Sequence, residues 1–132
     1  MEFKVKKGHK FYDKAEEFEE LYNNYESLFD SIFSGFDVGP GWFIIIADFV
    51  VKLDRHLERN PQLDKDRVII VQIKEKFGSL RIYVGESDYY INCLTLAAEK
   101  AAEDACVVCG ESTINDFGIG SALCEKHFLL YT

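Results

Sequence analysis

Val71-Gln72-Ile73-Lys74-Glu75-Lys76-Phe77-Gly78-Ser79-Leu80-Arg81-Ile82-Tyr83 reads as two strands folded back on each other. Branched and aromatic residues alternate with polar ones on both sides of Gly78-Ser79, the period of a half-buried antiparallel ladder. With their flanks the strands span residues 67–77 and 80–85. A two-residue turn with Gly first suits a type II′ hairpin, which sets Phe77 opposite Leu80, Glu75 opposite Ile82 and Ile73 opposite Val84. Those pairs share a face with Val71 and Ile69, and that face is expected to meet the core. The opposite face carries Lys76 beside Arg81 and Lys74 beside Tyr83. Glu75 is the exception, a carboxylate on the apolar side. It needs a dedicated partner, with Arg55, Arg59 or a cluster of helix amides as candidates.

Helical periods flank this hairpin. Asp13 and Glu16 form a capping-box pattern ahead of Phe18, Leu21, Tyr22, Tyr25, Leu28, Phe29 and Ile32. Their spacing of three and four predicts one acidic amphipathic helix ending at Ser34-Gly35. Gly39-Pro40 opens a second helix, in which Trp42, Phe43, Ile45, Ile46, Phe49, Val50, Leu53 and Leu57 predict burial on two sides. Asn60-Pro61 ends it. A third helix runs from about Asp88 to Ala105, with Ile91, Leu94, Ala98, Ala101 and Ala105 inward. Cys93 lies in its middle with no ligand partner nearby, and reads as a small packing residue.

The last quarter carries Cys106-Val107-Val108-Cys109-Gly110 and then Cys124-Glu125-Lys126-His127. Two ligands separated by two residues can grip one metal from a tight knuckle, and Gly110 supplies the turn. Four such ligands favour a single structural Zn(II). Residues 114–119 suit a short hairpin, and Cys124 and His127 the first turn of a final helix. That order is treble-clef-like. The fold class expected is α+β: helices on a small antiparallel hairpin sheet, with residues 1–105 as the core and 106–132 as a zinc-binding module packed on it.

Composition narrows the function. The apolar share of 48% and eleven Phe allow a substantial core in 132 residues. The longest apolar run, residues 42–47, is far short of the roughly 20 residues a membrane span needs, and Met1-Glu2-Phe3-Lys4 has no apolar h-region behind it, so no signal peptide is expected. A cytoplasmic location follows, where cysteines stay reduced and favour metals over disulfides. The net charge of −8 opposes general nucleic-acid binding. It is uneven: residues 13–37 hold eight acidic side chains and one Lys, whereas residues 65–81 hold five basic and two acidic.

Catalytic sets are weak. The stretch between the metal-ligand pairs has no His to activate water, and His9 and His56 lie outside it. Gln72-Ile73-Lys74 matches half of a PD-(D/E)xK nuclease motif, with Asp64 or Asp66 as poor candidates for the rest. No nucleophile sits beside a base, and no Gly-rich phosphate loop is present.

The Gly41-Trp42-Phe43-Ile44 segment, the hairpin and the cysteine-histidine pattern together resemble a group of small bacterial and bacteriophage proteins. These share a GWF-type helix start, a KEKFG-type hairpin and a CxxCG…CxxH end. The resemblance spans roughly residues 39–127 and implies a fold and a phage or prophage setting, not an activity. Two functions are therefore expected. One is a non-enzymatic modulator of a host protein, or an immunity-type protein, meeting a basic partner surface through its acidic helix. The other is a nucleic-acid-binding module using Lys74, Lys76, Arg81 and Tyr83 with Trp42 nearby, and Glu75 and Gly78 as structural residues.

Overall fold

The two hairpin strands, β2 (Ile70–Lys76) and β3 (Ser79–Val84), form the middle and one edge of a three-stranded sheet ordered β1-β2-β3. The structure is a computed structural model describing residues 14–113 and 122–131. Four helices accompany the sheet among these residues: α1 (Ala15–Asn24), α2 (Phe43–Arg59), α3 (Tyr89–Glu103) and α4 (Glu125–Tyr131). The architecture is mixed α+β. No described helix is long and apolar enough to cross a membrane.

The hairpin register differs from the sequence expectation by two residues. Lys76 pairs with Ser79, Glu75 with Leu80, Lys74 with Arg81 and Ile73 with Ile82. The turn is therefore Phe77-Gly78, with both residues at positive φ (53° and 81°), as a type I′ turn requires. A slip of two keeps Ile73, Leu80 and Ile82 on their expected, buried face, but it moves Phe77, expected opposite Leu80 on that face, into the turn, where it is 81% exposed. Further back a register irregularity between Ile70 and Gln72 swaps the faces. Ile70 and Val68 are buried there, while Ile69 and Val71 are only partly so. Glu75 finds its partner within its own turn, its Oε2 accepting the Gly78 amide at 3.1 Å. Among the described residues no Arg ion pair or helix amide is recorded at Glu75, which corrects the expected buried pair.

The first helix is shorter than its apolar stripe suggests. It stops at Asn24, and a 3₁₀ turn (Glu26–Leu28) follows. The expected Asp13 cap lies outside the described residues. Beyond the turn, Phe29 bridges to Ile70, and Phe36–Asp37 forms strand β1, parallel to β2. The expected purely antiparallel sheet is therefore mixed. Aromatic burial explains the break. Phe29, Phe33 and Phe36 close on one another at centroid distances of 4.7–5.8 Å, and Phe18 reaches Phe36 at 4.8 Å. Burying one such ring contributes about 1.5–3 kcal/mol, more than the propensity gained by continuing the helix. Ile32, expected inside, is 71% exposed.

Helix α2 begins as expected, through the 3₁₀ turn Pro40–Trp42, and buries Ile46, Phe49, Val50, Leu53 and Leu57. Asn60 closes it, its side-chain amide donating to the His56 carbonyl at 2.8 Å. Asp88 caps α3 by accepting the Ile91 amide at 2.8 Å, and its other oxygen meets His56 Nε2 at 2.8 Å. Burial acts to raise the Asp88 carboxyl, but hydrogen bonds from His56 and Ile91 outweigh it and hold it below 3.8. The inward stripe of α3 is Ile91, Ala98 and Ala102, with Leu94 partly buried. Ala101 is exposed, as is Cys93, which is not a packing residue.

Phe36 and Ile73 are register partners on the core face of the sheet, and Phe18 of α1 packs on Phe36. Helix α1 therefore lies on the core side. Lys74 and Arg81 point to the other side.

Candidate metal centre

The cluster is built by a knuckle and a helix start. Cys106 donates its amide to the Glu111 carbonyl and accepts the Gly110 amide, both at 2.7 Å, which folds residues 106–111 into a tight loop. Gly110 sits at φ 82°, where a side chain is penalised. Cys124 precedes α4 and its carbonyl accepts the Phe128 amide at 2.8 Å, so His127 projects from the first turn. A link between Val107 N and Ala122 O (2.7 Å) ties the two halves together.

Cys106, Cys109, Cys124 and His127 bring one ligand atom each to within 4.8 Å of one another. Cys106 Sγ is 3.5 Å and Cys124 Sγ 3.2 Å from His127 Nδ1, and the Cys109 and Cys124 sulfurs are 3.8 Å apart. Such a set could hold one metal ion. Cys106 and Cys124 are buried, while Cys109 lies at the surface. Burial acts to raise the Cys106 thiol, but amide hydrogen bonds from Cys124, Cys109 and Val108 leave it below 9.0. Cys109 is pushed up to about 11, led by desolvation of its sulfur even though the residue is exposed, with the neighbouring thiols adding. A second thiolate this close to a first resists forming. A cation at the centre removes that resistance by supplying the opposite charge.

The centre is joined to the core through the start of α2. Gly41 donates its amide to the Val107 carbonyl, and Trp42 Nε1 donates to the Ala105 carbonyl, both at 2.9 Å. A Cβ on Gly41 would fall 2.0 Å from the Cys106 oxygen, 2.6 Å from the Gly110 nitrogen and 2.8 Å from the Cys109 nitrogen. Glycine there lets the helix start touch the knuckle backbone. This role was missed in the sequence. Its one signal was that GWF and CxxCG occur together in the resembled group.

The expected surface residues divide. Trp42 is fully buried and serves as an anchor, which removes it from any binding face. Lys76, Arg81 and Tyr83 are exposed and Lys74 partly so, all on the outer face of the hairpin. Gly78 holds the turn and Glu75 accepts its amide. Asp64 and Asp66 stand in the loop before β2, where Asp64 Oδ1 accepts the Asp66 amide at 2.9 Å and its other oxygen meets Arg67 at 3.4 Å. The expected hairpin at residues 114–119 lies outside the described residues. Comparison with known proteins gives no match to any family model, curated protein or solved structure.

Proposed function

We propose that the protein is a zinc-stabilised, non-enzymatic interaction protein. The observation that supports it most is the spacing of the four ligand atoms. Tetrahedral zinc, with bonds of about 2.3 Å to sulfur and about 2.0 Å to nitrogen, sets sulfurs about 3.8 Å apart and sulfur and nitrogen about 3.5 Å apart. The separations here are 3.8 Å for Cys109–Cys124 and 3.5 and 3.2 Å for the two edges to His127. Three sulfurs and an imidazole suit zinc better than a hard cation. All four positions are supplied by the chain, so none is left for water or substrate, as in a structural site. The ion's contribution is then to folding. It fixes the knuckle on which Gly41 and Trp42 rest, in a treble-clef-like arrangement.

A protein of this kind works through a face. Glu16, Glu19 and Glu20 of α1 are exposed, and this negative surface suits a partner with a basic one. The phage or prophage setting implied by the sequence resemblance fits a cytoplasmic modulator of a host protein or an immunity-type protein. Capture from bacterial lysate at moderate salt tests this, comparing the native chain with a Glu16→Gln, Glu19→Gln, Glu20→Gln variant. A specific partner held by the first and lost by the second is expected. Recovery of the same proteins by both would overturn the assignment of the surface.

A further inference from the structure

The outer face of the hairpin is frustrated in a way the fold does not require. Lys74 and Arg81 are direct cross-strand partners, which puts like charges about 5 Å apart at their Cβ atoms and is destabilising. Lys76 follows on the same face of β2, about 6.6 Å further along the strand. Asp37 stands beside Lys74 on β1. Yet among the described residues no ion pair involves Lys74, Lys76 or Arg81. Three cations thus share one face with no carboxylate within ion-pair distance among the described residues.

Two aromatic rings adjoin them. Tyr83 is 44% exposed on that face, with Lys74 Nζ 5.9 Å from its ring centre. Phe77 occupies the hairpin tip and is 81% exposed, with Lys76 Nζ 5.9 Å from its ring. Its φ of 53° is the left-handed region, which a bulky side chain seldom adopts. Asn or Gly would fit this turn position better. A large apolar ring, 81% exposed and held in an unfavourable backbone conformation with only the Lys76 ammonium near it among the described residues, points to a contact made outside the chain.

We infer that this face binds a short segment of single-stranded nucleic acid, with phosphates on Lys74, Lys76 and Arg81 and bases stacked on Phe77 and Tyr83. Cations repeated at strand spacing match a charged backbone, and aromatic rings beside them match unpaired bases. An acidic polypeptide would satisfy the cations and leave both rings without a stacking partner. A duplex keeps its bases stacked inside and would leave them unused. The net charge of −8 limits the site to a short segment at modest affinity. This face is separate from the acidic α1 surface, which lies on the core side of the sheet.

Fluorescence anisotropy of the full, metal-loaded chain tests the inference. The probes are a labelled oligothymidylate of about 12 nucleotides, the matching RNA, a duplex of that length and a polyglutamate peptide. Expected are binding of the single strands in preference to duplex and peptide, and a slope of log K against log salt of about −2 for three phosphate contacts. Lys74→Gln or Arg81→Gln reduces that slope by about 0.7 each. Phe77→Asn, which suits the turn and keeps the fold, weakens binding about tenfold. No binding at low salt, equal binding of polyglutamate, or unchanged affinity in Phe77→Asn overturns the inference. Metal content and melting temperature of the same samples report separately on the zinc-stabilised fold. A chain that holds its metal but binds no strand therefore refutes this site alone.

Discussion

Substituting Gly41 by Ala tests how tightly the metal knuckle is coupled to the core. The added Cβ would lie 2.0 Å from the Cys106 oxygen, and its next neighbours are the backbone nitrogens of Gly110 and Cys109. None of these is the movable end of a side chain. Ordinary contact begins near 3.4 Å, so the helix start and the knuckle must part by more than about 1 Å. Overpacking of this kind costs about 1–3 kcal/mol. Parting also strains the Gly41–Val107 and Trp42–Ala105 hydrogen bonds, each worth about 0.5–1.5 kcal/mol. The expected loss is about 2–6 kcal/mol, a fall in Tm of about 10 °C or more. Gly85→Ala is the control, since its Cβ would meet the Arg67 oxygen at 2.4 Å, away from the metal ligands. Both variants should melt early. Gly41→Ala alone should also release metal faster to a competing chelator, at a temperature where each variant is still folded. Equal release rates for the two would refute the coupling of the helix start to the centre.

Other substitutions probe separate parts of the fold. Gly78→Val should destabilise by about 1–2 kcal/mol in urea unfolding, because φ is 81° there and a branched residue resists it. Phe77→Asn should instead stabilise by about 1 kcal/mol, as strain at a non-glycine positive φ is relieved. Asp88→Ala should cost about 1 kcal/mol at neutral pH through loss of the α3 cap. The folded carboxyl of Asp88 lies below 3.8, so its contribution is complete above that pH and is lost as pH falls through the lower folded value. The stability gap between native and variant chains should therefore narrow below about pH 4, and a gap that widens on acidification would contradict the assignment.

Much of this architecture was written in local patterns. The apolar period of α2, its Pro40 start and Asn60 stop, the Asp88 start of α3 and the paired metal ligands all act over a few residues. Their reading needs no knowledge of distant contacts. Strand β1 was hidden because Phe29 sat in the apolar stripe of the first helix, and Phe36, just past its Ser34-Gly35 stop, belongs to a strand of two residues, too short to show a period. Their true order comes from pairing with Ile70 and Ile73, more than thirty positions away. The turn was misplaced because Gly78 was given the first position of a type II′ turn. It takes the second position of a type I′ turn, and Phe77 accepts a conformation that local chemistry disfavours. Gly41 looked like an ordinary helix-start glycine, since its constraint is a backbone sixty-five residues further on, at Cys106. Trp42 was read both in the buried face of α2 and beside the basic hairpin face, and only the first reading holds, since its indole nitrogen is used by Ala105 inside.

On the proposed reading, Cys106, Cys109, Cys124 and His127, whose ligand atoms lie within 4.8 Å of one another, hold one zinc ion on which the fold depends. Native mass spectrometry of the chain, purified without chelators, tests it most directly when paired with denaturing spectra of the same sample. The native mass should exceed the denatured mass by one zinc ion less the protons it displaces. Cys124→Ser should lose most of that zinc, and its melting temperature with it. A native chain that carries no zinc, or a Cys124→Ser variant that keeps it in full, would contradict the account.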